Sequence, residues 1–178
     1  IKYDTVSAGA WASGGALNNG RVGAAGAGVS TTSSLCYAGT PGGAPSILNT
    51  ESYNGTAWTE LNDMSDSHRY CFGLGTETAA LCTGSYPGGS ASEEWDGTNW
   101  TEGGVLNTGR GLEAGGAGTQ TAGMIVCGGN PGGVLCEQYD GSTWTAVNSA
   151  NTGRKYGIAG GATQSTAIVT GGEPATAE

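Results

Sequence analysis

Four arginines, Arg21, Arg69, Arg110 and Arg154, recur along the 178-residue chain at intervals of 48, 41 and 44 residues. A guanidinium offers a planar fork of donors that matches a carboxylate. Four of them at regular spacing could form a ring that grips an anionic ligand, or four structural clamps that each fasten neighbouring repeats through a carboxylate or backbone carbonyl. Glu51, Glu93, Glu137 and Glu178 recur with a similar period. They are natural partners for the arginines, with a solvated acidic rim as the alternative, and the structural reading is favoured. His68 is the only histidine, which argues against a zinc site. It adjoins Arg69 and no G-x-S-x-G nucleophile motif is present, so a Ser/His/Asp triad is not expected. Cys36, Cys71, Cys82, Cys127 and Cys136 are odd in number and include no CxxC pair, leaving up to two disulfides or buried thiols open. No catalytic residue, cofactor or metal is expected.

The bulk composition narrows the class. Fifteen Asp plus Glu against six Lys plus Arg give a formal net charge of −9. A nucleic-acid binder needs a basic footprint to replace phosphate counterions, so neither nucleic acid nor an anionic membrane surface is an expected partner. No apolar run approaches the roughly 20 residues of a membrane span. The 36 glycines make up about a fifth of the chain, far above the usual 7% or so, and glycine disfavours helix by about 1 kcal/mol relative to alanine. An all-β, turn-rich fold is the expectation. The chain begins at Ile1, as a processed protein or a piece of a longer one would.

Periodicity organises these residues. Trp11, Trp58, Trp100 and Trp144 are spaced by 47, 42 and 44 residues. Tyr53-Asn54-Gly55-Thr-Ala-Trp58 matches Trp95-Asp96-Gly97-Thr-Asn-Trp100 and Tyr139-Asp140-Gly141-Ser-Thr-Trp144, with Tyr3-Asp4 leading to Trp11 as a looser copy. The Asn-Gly and Asp-Gly pairs predict type I′ hairpins, in which both central residues have positive φ. Asn54-Gly-Thr56 and Asn99-Trp-Thr101 also fit the N-glycosylation pattern, although the repeat demands those turn residues anyway. Each unit reads as four strands: a small-residue strand such as 111–116 or 156–161, an apolar strand such as 124–126 ending at glycines, a third over 134–139, and a fourth carrying the Trp. A period near 44 selects a β-propeller, whose blades are four-stranded sheets of about that length. Residues 1–178 are expected to form a single domain of four such repeats.

Arg, a strand, an apolar strand ending in glycines, then Tyr-Asp-Gly-x-x-Trp resembles the kelch repeat. The glycine-rich flavour is similar to kelch-like proteins of phages and environmental bacteria. The resemblance implies a β-propeller of four kelch-like blades. The phase of the termini suggests closure in which both ends share one blade; a four-blade segment of a longer array is the alternative. Asp-Gly-x-x-Trp is also similar to the sialidase Asp box, a structural turn, and kelch-type copper oxidases need several His ligands that this chain lacks. The tryptophans are expected to be equivalent core residues between blades, with Trp95, which replaces a Tyr, less buried.

The expected function is a non-enzymatic structural or assembly module of an extracellular fibre or phage appendage. Its partners would be copies of itself or other structural subunits, through loops such as 85–90 and 130–134, and its location extracellular or on a virion. The alternative is a carbohydrate- or protein-binding, lectin-like propeller that takes glycans through loops such as 62–68 and 86–89.

Overall fold

The computed structural model describes residues 13–42, 45–111, 115–129 and 133–173. Within them the chain is all-β, with one short 3₁₀ turn at Gln164–Thr166. Strands β1 (Ala25–Ser30), β2 (Ser33–Tyr37), β3 (Thr50–Tyr53) and β4 (Trp58–Glu60) form the first blade, an antiparallel sheet in chain order. Strands β5 (Phe72–Gly75), β6 (Ala80–Ser85), β7 (Gly89–Trp95) and β8 (Trp100–Glu102) repeat it. So do β9 (Gly115–Thr119), β10 (Ala122–Val126), β11 (Cys136–Tyr139) and β12 (Trp144–Val147). Strands β13 (Lys155–Gly160) and β14 (Ile168–Glu173) pair as the inner half of a fourth. The expected closure by both termini, and with it Trp11 and Glu178, lies outside the described residues.

The arrangement is propeller-like. Inner strands β1, β5, β9 and β13 touch one another in succession. All four border one cavity of about 200 Å³, through residues such as Ala25, Gly73, Gly116 and Ala159. The sequence permits this approach because the inner strands carry almost no side chains. A Cβ on Gly73 would lie 2.7 Å from the Gly26 carbonyl of the neighbouring blade, and one on Gly115 only 2.2 Å from the Ala159 Cβ. Such contacts are tighter than real Cβ atoms tolerate, so the inner strands can meet only where side chains are absent. Among the described residues the third inner strand covers Gly115–Thr119, and residues 112–114 of the expected 111–116 span lie outside them.

The apolar core divides into three clusters, one at each described seam. Tyr37, Met64, Cys82, Trp95 and Trp100 fill the first, between blades 1 and 2. Phe72, Leu81, Ile125, Tyr139 and Trp144 fill the second, and Val126, Cys127, Cys136 and Val169 the third. Burial of this apolar area is the main favourable contribution to each seam.

Polar links cross the same seams. The Gln120 amide donates to the carbonyls of Ala80 (3.0 Å) and Trp95 (2.7 Å) in the preceding blade. Gln164 likewise donates to Gly123 (2.8 Å) and Tyr139 (2.6 Å). The matching position of blade 2 is Glu77, in Thr76-Glu77-Thr78, and a carboxylate has no N–H to give to a carbonyl. Its Oε2 is buried without a hydrogen bond. Replacing Glu77 by Gln should therefore stabilise the protein by about 1 kcal/mol, read as a higher denaturation midpoint at neutral pH. An unchanged or lower midpoint would show that the amide column does not operate at this seam.

Candidate functional site

The recurrent charged residues converge at the point where the chain enters each blade. Glu51 on β3 accepts hydrogen bonds from the backbone N–H of Asn18 (2.7 Å) and Asn19 (3.1 Å), and from the Asn18 side chain (2.9 Å). Glu93 on β7 accepts from Ser65 N (2.8 Å) and Asp66 N (2.9 Å). Glu137 on β11 accepts from Asn107 N (2.8 Å), Asn107 Nδ2 (2.8 Å) and Thr108 N (3.4 Å). All three acids are buried. Each holds two consecutive amides of its own blade's entry loop, and charge-assisted bonds of this kind are the strong ones. These bonds hold Glu51 below the usual carboxylate range: burial pushes its pKa up, but the Asn18 and Asn19 amides outweigh it. Glu93 is lowered as well, burial again being outweighed by His68 and the Ser65 and Asp66 amides.

The cation that meets each carboxylate comes three residues after the first of those amides. Arg21 pairs with Glu51 and also donates to the carbonyls of Asn19, Ala38 and Asn49. Arg110 pairs with Glu137 at 3.0 Å. Arg154 is buried and donates to the Gly171 carbonyl at 3.0 Å. In blade 2 this place belongs to His68 and not to the expected Arg69. The His68 ring has Nδ1 2.8 Å from the Gly84 carbonyl and Nε2 3.5 Å from Glu93. Main-chain bonds give the same alignment. Gly39 N donates to His68 O (2.8 Å), Ser85 N to Arg110 O (3.1 Å) and Gly128 N to Arg154 O (3.0 Å). Each ties one blade to the next. The side-chain pairs thus lie within a blade, contrary to the expectation that arginine fastens neighbouring blades; the carbonyls of the same residues do that. Arg69 instead takes the place of Val22 and Gly111, and its guanidinium lies 5.6 Å from the Tyr86 ring centroid.

The tryptophans are not equivalent. Trp100 and Trp144 are 5% exposed, and each indole N–H donates to the third strand of the preceding blade, at Thr50 Oγ1 (2.8 Å) and Ser92 Oγ (3.1 Å) respectively. Trp58 is only half-buried and donates to the Gly15 carbonyl. Trp95 is 1% exposed, the reverse of the expectation. Its larger ring reaches into the first seam, 5.4 Å from Trp100, and its N–H donates to the Glu77 carbonyl. The corresponding Tyr139 places its hydroxyl on Glu94 of the blade before, and burial together with that carboxylate pushes its pKa up to about 12.

The hairpin turns differ from type I′. Only Gly55, Gly97 and Gly141 have positive φ, near 94° in each case. Asn54, Asp96 and Asp140 remain at the strand ends, where each Oδ1 accepts from the second and third residues on. This is an Asx turn followed by a glycine-first loop. The amides of Thr143 and Ser142 draw the Asp140 pKa down to about 2. Asn54 is thus occupied as a turn acceptor. Among the described residues the cysteines form no disulfide, although Cys71 and Cys82 bring their sulfurs to 3.4 Å. Burial pushes the Cys82 thiol well up. No group of three His, Cys, Asp or Glu among the described residues is placed to hold a metal ion.

No protein-family model matches this chain, and no curated protein matches it.

The histidine substitution gives blade 2 a pH response that the arginines deny the others. Burial works against a charge on His68, but the Glu93 carboxylate and the Gly84 carbonyl outweigh it and raise the pKa above the ordinary 6.5. Protonated His68 contributes stability in full below about pH 6.5 and loses that contribution as pH rises through the raised value. Denaturant melts should show stability falling with pH across this window in the wild type, and a flatter profile in His68→Arg. A wild-type profile that is level or rising there would contradict the assignment.

Proposed function

We propose that this chain is a non-enzymatic scaffold: a kelch-like structural or assembly module of an extracellular fibre or phage appendage. The observation that carries the reading is where its rare charges go. Glu51, Glu93 and Glu137, with Arg21, His68 and Arg110, are spent inside the protein on bonds that order the blades. Main-chain links cross each described seam, Trp donors the first two, and glutamine amides the second and third. A repeated unit that invests its charge in rigidity suits a part used for its shape. No described helix is long and apolar enough to cross a membrane.

The partners favoured by this reading are copies of the chain or other structural subunits. Val105 (65% exposed) and Leu135 (41%) offer apolar contact beside the entry loop of blade 3 and the third strand that receives it. Few surface charges oppose such contacts, although the net charge of −9 does so at low salt. Light scattering and electron microscopy on the purified protein at rising salt should show growth beyond the monomer. Val105→Glu combined with Leu135→Glu should reduce it at unchanged melting temperature. A wild type that stays monomeric at high concentration and high salt would refute assembly through copies of itself.

A further inference from the structure

Several departures from the repeat meet at one place in blade 2. His68 stands in the arginine column. Arg69 and Tyr70 stand where blade 1 has Val22 and Gly23. Ser85 and Tyr86 stand where blade 1 has Gly39 and Thr40, and blade 3 has Gly128 and Gly129. In an array held so closely to one pattern, coincident departures at neighbouring positions call for a common cause. They are mutually packed: Tyr70 and Tyr86 meet edge to face at 6.2 Å, Arg69 covers Tyr86, and Tyr86 N bonds to Arg69 O at 2.9 Å. Tyr86 lines a cavity of about 370 Å³, whose wall also includes Asp66, Ser67, His68, Pro87 and Ser90.

The chemistry of that wall is specific. Tyr86 and Pro87 give it an apolar, C–H-rich side. Asp66 is exposed and accepts hydrogen bonds, while the hydroxyls of Ser67 and Ser90 both donate and accept. The His68 ring is committed elsewhere, with Nδ1 on the Gly84 carbonyl and Nε2 turned to Glu93, so the polar groups open to a ligand are Asp66 and the two serines. A cavity this size falls at the small end of ligand pockets. Arg69 lies against the Tyr86 ring with its Nε bonded to the Tyr86 carbonyl, but an anionic ligand would also face Asp66 and a protein of net charge −9; a purely apolar one would strand the serines and the carboxylate. What fits both sides is a compact molecule with an apolar ring face and a rim of hydroxyls. We infer that this blade 2 cavity is a binding site for a neutral sugar, stacked on Tyr86 with ring hydroxyls donating to Asp66. The site is compatible with the scaffold reading and stands independently of it, since one sugar-binding blade does not require self-assembly.

The test is calorimetric and NMR titration of the full chain with a panel of neutral mono- and disaccharides, with sulfated sugars and inorganic phosphate as the charged comparison. At least one neutral sugar should bind. Tyr86→Thr, which installs the blade 1 residue, and Asp66→Asn should each weaken it at least about tenfold, with melting temperature and oligomeric state unchanged. Because Asp66 is exposed, its substitution keeps the test valid even if Tyr86→Thr perturbs the loop. Failure of every neutral sugar to bind, preference for the charged comparison ligands, or full retention of binding in Asp66→Asn would overturn the inference.

Discussion

A buried carboxylate that receives two consecutive backbone amides is the interaction on which this structure turns. Glycine-rich strands have little side-chain shape with which to fix their register, and a sheet whose side chains do not specify register is prone to slip. Glu51, Glu93 and Glu137 supply the missing reference point: each ties its blade's third strand to the loop that enters the blade. Once that loop is placed, its Arg or His carbonyl is presented to the previous blade, where the Gly39 amide reaches His68 and the Ser85 amide reaches Arg110. A contact within one blade thereby sets the spacing between blades.

The buried charge is costly, since desolvating an ion consumes much of what its partner returns. Here the carboxylate is satisfied by peptide N–H groups as well as by a cation. Arg21 is satisfied in turn by three carbonyls in addition to Glu51. The other two cations are less fully satisfied: Arg110 meets Glu137 at 3.0 Å but its nitrogens make no hydrogen bond among the described residues, and His68 bonds through Nδ1 with Nε2 near Glu93. Blade 2 combines its histidine clamp with the replaced residues at its rim. The tryptophan donors on either side tie that blade to its neighbours.

Much of the fold was legible because the repeat is explicit: the period near 44, the Tyr-Asp-Gly-x-x-Trp turn and the small-residue inner strands all have structural counterparts. The error at Arg69 was avoidable. Arginine intervals of 48, 41 and 44 disagree by one residue with the tryptophan intervals of 47, 42 and 44, and substituting His68 for Arg69 restores agreement. Residue identity misled where spacing was correct. The turn geometry was less accessible, because an Asp-Gly pair serves either as the two central residues of a loop or as a strand-end acceptor followed by glycine. Trp95 could not be ranked from sequence, since its burial depends on how far a larger ring reaches into a seam built by another blade. The blade 2 cavity was likewise invisible: its walls come from segments 66–68 and 85–91, which are close only after the entry loop is fastened.

The central claim is that the third-strand carboxylate organises its entry loop and, through it, the seam. Hydrogen exchange combined with denaturant unfolding of Glu137→Ala tests it most directly. That substitution leaves Arg110 buried without its ion-pair partner, so stability should fall by about 3–5 kcal/mol. The amides of Asn107 and Thr108 should lose protection, followed by Ser85, whose acceptor is the Arg110 carbonyl. Stability within about 0.5 kcal/mol of the wild type, with those amides still protected, would contradict the account.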